Sequence, residues 1–257
     1  MDRLRDLALK LSGIAIVVVA WEIVGRSLGE FLLAAPSIVL PLLIDMIARG
    51  DILVELAGSL RQMLIGFGLA CLVGMPLGTL MGRVAWIDAF VHPWVGMIVV
   101  TSIAALVPIF MLLFGTGLAM RIAIVFVGSV GYIVMTAYHG ARGIDVRYVN
   151  AARSFSVGGI ALYRKVLLPA LFPYLITGAR LGLVHAIRAM VVAEMFVITG
   201  YGGLIFQTGL DLSVAPLLAY LILLMVVSLA GNALLAGAGE RIAPWYTARQ
   251  GMRGGQP

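Results

Sequence analysis

Four ionisable side chains stand inside one long apolar stretch, LPALFPYLITGARLGLVHAIRAMVVAEMF: Arg180, His185, Arg188 and Glu194. In a segment fit to cross a bilayer, a charge at the centre costs ~2.5–3.5 kcal/mol, so such residues are functional candidates by default. At ~100° per residue, His185, Arg188 and Glu194 point about 140°, 80° and −40° from Arg180, and all four fit on one half of a helix. His185 and Arg188 are one turn apart and can meet the same anion. The chemistry on offer is coordination of a passing solute. A second reading stays open at the two ends, where Arg180 and Glu194 can run their side chains out to the membrane edges.

Other chemistries lack their residues. The chain has only two lysines, Lys10 and Lys165, preceded by Leu9 and Arg164, so no Gly-Lys phosphate loop exists. ATP hydrolysis by this chain is therefore not expected, and neither is a cofactor bound to it. His92, His139 and His185 have no ligand spacing with one another, with Cys71 or with carboxylates, which argues against a metal site. An intramembrane protease needs a Ser/His pair or paired Asp in neighbouring spans. Glu194 alone does not supply that. No catalytic residue is expected.

The elements that must position these residues follow from composition. The chain is 62% hydrophobic and 12% charged, against about 25% charged residues in soluble domains. Its solvent is lipid. Spans of ~20 apolar residues are expected at 9–28, 62–82, 93–114, 120–140, 171–198 and 213–238, an all-α integral membrane protein with six transmembrane helices in a single transmembrane domain over 1–257. The first run also has the basic start of a cleavable signal, but its apolar core is long and Trp21-Glu22 suit a cleavage region poorly. Glu22 and Arg26 are spaced to pair on a helix face, as are Asp45 and Arg49 in the interrupted run PSIVLPLLIDMIARG. Pro76 and Pro108 are expected to bend the second and third spans. Gly74, Gly78 and Gly82 form a ladder for close helix packing, within the protomer or against a second copy. The Gly-rich TGYGGLIFQTGLDLS reads as an outer loop, and the last residues, about 248–257, as a disordered tail.

Of eighteen Lys and Arg, Arg180 and Arg188 lie within the fifth span. Arg26, Arg49, Arg61 and Arg121 lie on one side of the membrane and the other twelve on the opposite side. The positive-inside rule puts that richer side, with both termini, in the cytoplasm. The basic residues form no continuous face and are not interleaved with aromatics, so nucleic acid is excluded as a partner.

Charge gathers in one place on that side, at NAARSFSVGGIALYRKVLLP. Its alanines and basic residues suit a short surface helix, Gly158-Gly159 a turn and Pro169 a fresh helix start. The stretch resembles the EAA motif of ABC importer permeases, Glu-Ala-Ala followed at set spacings by Gly, Ile and Leu-Pro. Ala151-Ala152 and Leu168-Pro169 match, whereas Asn150 stands for the Glu, Ser156 for the Gly and Val166 for the Ile. SLRQMLIGFGLACLVGMPLGTLMG, VPIFMLLFGTG and the fifth span are similar to the nitrate/sulfonate/taurine branch. The resemblance implies a type I ABC importer permease-like fold in the bacterial inner membrane, pairing as a homodimer. It also implies cytoplasmic ATPase subunits and an extracytoplasmic substrate-binding protein as partners.

In that family the motif is a cytoplasmic coupling segment, here 141–169, that rests in a groove of the ATPase. The coupling residues it implies are Asn150, Ala151, Ala152, Arg153, Ser156, Gly158, Gly159, Leu168 and Pro169. Asn150 removes any ion pair made by the usual Glu, and Ser156 points to a turn shifted to Gly158-Gly159. The implied cargo is a small anion such as nitrate, a sulfonate or taurine. A secondary transporter or channel without ATPase partners is the rival reading; it leaves the charged segment without a purpose, and no inverted repeat is visible.

Overall fold

Inside a bilayer the backbone has no water to bond, so apolar runs of this length must satisfy every N–H and C=O internally. The computed structural model describes residues 2–156 and 159–242, and every regular element among them is helical. In chain order these are α1 Asp2–Leu28, α2 Pro36–Arg49, α3 Asp51–Met81, α4 Ala85–Val100, α5 Ile103–Phe114 and α6 Leu118–Arg142. They continue with α7 Val146–Ser154, α8 Gly159–Leu162, a π-helical turn Tyr163–Leu167, α9 Leu168–Val197, α10 Gly200–Leu210 and α11 Val214–Ile242. The expected tail at 248–257 and Gly158 lie outside the described residues.

Among the described residues four helices are long and apolar enough to cross a membrane: α3, α6, the run Arg164–Val197 and α11. α4 and α5 pass the same test only together, as a pair bent by 106°, and count as a fifth crossing if the pair is one span. The first expected span falls on α1. The third expected span is thus a broken pair rather than a straight rod. Pro108 is not the break: it lies inside α5, as Pro76 lies inside an uninterrupted α3. The chain turns at Thr101 and Ser102, both extended. The Thr101 hydroxyl and amide both bond the Met97 carbonyl, at 2.7 and 3.0 Å, closing off α4. β-Branched residues and Ser/Thr back-bonding favour such an ending.

The chain forms two compact units. One takes Met1–Ser59 with Val197–Val227. Here Glu22 of α1 serves α2, whose own N-cap, Ala35, has no side chain to offer. The Glu22 carboxylate accepts the Ser37 amide at 3.0 Å and its hydroxyl at 2.7 Å, while Arg26 pairs with it at 2.5 Å. Asp45 and Arg49 pair at 2.6 Å along α2. The Gly-rich stretch expected to be a loop is instead the helix α10. Its glycines cost helix propensity, but Tyr201, Gly202, Gly203 and Ile205 are buried and packing offsets that cost. Tyr201 fastens it, donating its amide to Ser59 Oγ at 3.0 Å and its hydroxyl to the Tyr220 carbonyl at 2.7 Å.

The other unit takes Leu60–Phe196 with Ser228–Pro257. The glycine ladder of α3 lies on α6 within the protomer. A Cβ on Gly74 would stand 3.0 Å from Ile133 Cγ2, and one on Gly82 2.6 Å from Ala141 Cβ. Farther along, Ala137, Ala141, Ile144, Leu171 and Leu175 make one buried cluster, with Met75 and Leu167 packed on it. Large apolar side chains such as Leu72, Val100, Leu112 and Leu234 point outward. In water such patches would be an aggregation hazard; in lipid they are the solvated surface.

Candidate functional site: a surface helix and a charged helix face

Helix α6 stops where Gly143 bonds back to the His139 carbonyl at 2.9 Å. Asp145 then starts α7 by accepting the Arg147 amide on its carboxylate at 2.8 Å, a local turn that suits Asp. Ser154 ends α7 with its hydroxyl on the Asn150 carbonyl at 2.9 Å. Beyond it Ser156 takes a left-handed conformation, φ 58°, at the motif's glycine position. Gly159 (φ 55°) is a second left-handed residue. Leu168-Pro169 do not begin a fresh helix as expected: α8, the π-helical turn Tyr163–Leu167 and α9 follow one another without a break, and the π-helical turn falls just before Pro169, whose ring lacks the N–H of an α-helical bond.

Both ends of the segment 141–169 are rooted in one core, through Ala141 and Ile144 on one side and Leu167 and Leu171 on the other. The part between stands out. Asn150, Ala151, Ser156 and Gly159 are exposed and Ala152 is half-buried. The Arg153 side chain lies outside the described residues. Sequence reasoning passed over the two aromatics here: Tyr148 is 56% and Phe155 82% exposed. With Ala152 they fall at i, i+4 and i+7, the spacing of anchors that an amphipathic helix lays into a groove. Their signal was available, an aromatic pair in an otherwise polar stretch.

Of the four charged residues of α9, three follow its open face. Arg180 is exposed and its Nε donates to Asn232 Oδ1 of α11 at 2.8 Å. His185 is half-buried and lies flat on Tyr132 of α6, ring centroids 3.5 Å apart and planes at 11°. Arg188 is exposed, with no hydrogen bond or ion pair to the described residues. Glu194 is not with them. It is fully buried and accepts a hydrogen bond from the Gln62 amide of α3. Asn232, Tyr132 and Gln62 escaped the sequence reading because it weighed charges alone. Each is a polar side chain in an apolar run, which is the signal that would have found them. Among the described residues no three His, Cys, Asp or Glu gather as a metal would require.

Apolar helices, a rooted surface segment and an ionisable stripe on one membrane helix describe a transport subunit. The chain belongs to the family of binding-protein-dependent transport system inner membrane components, whose model matches residues 74–243, from the end of α3 through α11. It is an ABC importer permease with the type I permease fold. An ABC transporter permease protein of Brucella melitensis is 27% identical over 244 residues, covering 95% of this chain and 99% of the relative. The taurine transport system permease protein of Escherichia coli is 23% identical over 250 residues, 94% and 91% of the two chains. The bicarbonate transport system permease protein of Synechococcus elongatus is 27% identical over 216 residues, 80% and 77%. Among solved structures, the MetNI methionine ABC transporter in an inward-facing conformation superposes with a TM-score of 0.61 at 20% identity, covering 75% of this chain and 94% of that one. That likeness shows the fold. Nothing in these matches supports a secondary transporter or channel.

Proposed function

We propose that this chain forms one half of the translocation path of an importer for a small anion, as a homodimer of single-domain, six-span protomers. In this reading α1 is the sixth span and both termini are cytoplasmic. ATP and Mg bind only the partner ATPase, and the chain itself catalyses nothing. The observation that carries it is the rooted segment: a helix with exposed aromatics, held at both ends by one core, inside a chain of this family. Asn150, Ala151, Ala152, Arg153, Ser156, Gly158 and Gly159, with Tyr148 and Phe155 added, grip the ATPase, and Leu168-Pro169 pass its motion to α9. Arg180, His185 and Arg188 face the path. Glu194 serves it indirectly, by holding α9 to α3. Relatives named for taurine and bicarbonate favour an anionic or zwitterionic cargo that a guanidinium fork can hold.

The test is reconstitution in vesicles with the ATPase and binding protein, measuring uptake of taurine, ethanesulfonate and bicarbonate. ATP-dependent uptake of any of the three is expected, and Ala152→Asp should abolish both uptake and ATPase capture while membrane insertion persists. ATP hydrolysis by the pure chain, or uptake without the ATPase, would overturn the reading.

A further inference from the structure

One carboxylate in the transport unit ties two helices together through several groups at once. Asp88, in the first turn of α4, accepts the Tyr138 hydroxyl of α6 on Oδ2 at 3.0 Å. Arg142, in the last turn of α6, donates from Nη1 to the same hydroxyl and stands 3.5 Å from Asp88 Oδ2. The other oxygen of Asp88 lies 3.1 Å from His92 Nδ1, one turn along α4. The His92 ring meets Tyr138 edge-on at 5.2 Å, and Tyr138 meets His139 likewise at 5.1 Å. Tyr138 is 4% exposed and the Asp88 side chain 24%. The Tyr138–Asp88 hydrogen bond at its centre is shielded, while Arg142 (67% exposed) and His92 (45% exposed) brace it from the surface.

Its place in the chain gives it a consequence. Four residues after Arg142 the chain enters α7, so any displacement of α7 reaches the last turn of α6 first. At the far end of α4 lies the 106° bend into α5. We propose that Asp88 is a positioning residue for transport: with Tyr138, Arg142 and His92 it latches the start of α4 to the end of α6, so that the broken α4–α5 span moves with the coupling segment. Without the latch, α6 follows the ATPase and α4 lags. The idea rests on α7 being the element that the ATPase grips. The glycine ladder ties α3, not α4, to α6. Nearer the bend α4 meets α6 through apolar packing, a Cβ on Gly131 falling 2.8 Å from Val99 Cγ2, and one long hydrogen bond from Tyr132 to the Val99 carbonyl at 3.5 Å; the Asp88 network adds the polar tie at the end next to α7.

The experiment uses the full chain with its ATPase in nanodiscs, in a Cys71→Ala background carrying Trp86→Cys on α4 and Arg147→Cys on α7. Spin labels at the two sites report one distance, measured without nucleotide and with the ATPase trapped by Mg-ATP and vanadate. With Asp88 intact the distance stays within a single narrow distribution in both states. With Asp88→Asn the trapped state shifts by several ångströms or splits, and Asp88→Glu restores the narrow distribution. A structural defect alone would not be rescued by Glu in one nucleotide state. If Asp88→Asn does not assemble, Tyr138→Phe, which removes one hydroxyl from the same network, should give the same shift in smaller degree. Unchanged distances in the Asn variant, or in the Phe variant where it stands in, overturn the latch. Ala152→Asp, run alongside, separates the two ideas: if it still captures the ATPase, the coupling-segment reading falls and the latch loses its drive. If it loses the ATPase while Asp88→Asn keeps the parent distances, the latch alone is wrong.

Discussion

Gln62 and Glu194, far apart in sequence, meet in the buried contact between α3 and α9, the amide donating to the carboxylate. Gln62 is 4% exposed and Glu194 fully buried. A polar pair in such a place stabilises only while both members are satisfied, because an abandoned buried donor carries its full desolvation cost. Glu194→Ala should therefore destabilise the protein by about 1–3 kcal/mol, whereas Glu194→Gln, which keeps an acceptor and the volume, should lose less. Thermal unfolding in detergent checks this. An Ala variant as stable as the Gln variant would mean that the amide finds no use in the carboxylate.

The approach of α3 to α6 makes a second stability prediction. A Cβ at Gly78 would fall on the Val134 carbonyl and 2.8 Å from Ala137 Cβ, both fixed parts of α6. Overpacking of this kind costs about 1–3 kcal/mol, so Gly78→Ala should lower the melting temperature by several degrees and Gly78→Val by more. Gly68 on the same helix, with nothing within 4 Å of its Cβ position, is the control. Gly68→Ala should be neutral or slightly stabilising, since Ala favours helix over Gly; equal losses at the two sites would show that the close approach to α6 is not the cause.

What could be read from sequence was what depends on one chain segment at a time. The apolar runs, the pairing of Glu22 with Arg26 and of Asp45 with Arg49, and the glycine ladder's fitness for close packing are all properties of local spacing. The helix that the ladder would meet, α6, is not encoded in α3. The same limit explains Glu194: its angle on α9 was computable, but Gln62, which takes it out of the charged face, sits on another helix. The bend at Thr101 and Ser102 was misplaced for a different reason. Proline is the loudest breaker in a sequence, yet two proline-bearing helices here run on, and the break falls at a quieter Thr-Ser pair. The Gly-rich α10 went the same way, with tertiary burial of Tyr201 overriding a propensity that reads as loop.

Ser156 holds a place that in the motif belongs to glycine, and the structure gives the reason, a φ of 58° that a side chain disfavours. The backbone there bears the strain. A left-handed conformation costs a residue with a Cβ roughly 1–2 kcal/mol. Ser156→Gly should therefore raise the fraction of complex that retains its ATPase in detergent, by up to about tenfold for 1.4 kcal/mol. Pull-down with a tagged ATPase measures it, and weaker retention in the Gly variant would show that the serine hydroxyl is itself part of the contact.

The last prediction concerns Arg188. It lies well inside α9, exposed, with no ion pair to the described residues. Glu194 cannot neutralise it, being buried against Gln62 on another side of the helix. His185, one turn earlier, is held flat on Tyr132 and brings no negative charge. A guanidinium facing lipid at this depth would cost ~2.5–3.5 kcal/mol on insertion scales, so its open face is best explained by water and a passing anion. Removing the charge with Arg188→Gln should lower uptake about tenfold, equivalent to ~1.4 kcal/mol on the transport barrier, without preventing dimer assembly or ATPase capture. Arg188→Lys should retain part of the activity, because the charge survives while the planar fork is lost. The measurement is uptake of whichever probe anion the parent carries, in vesicles holding equal amounts of assembled complex. Unchanged uptake in the Gln variant would make Arg188 a packing or interfacial residue, and a Lys variant no better than Gln would mean that two parallel hydrogen bonds, rather than charge, hold the solute there.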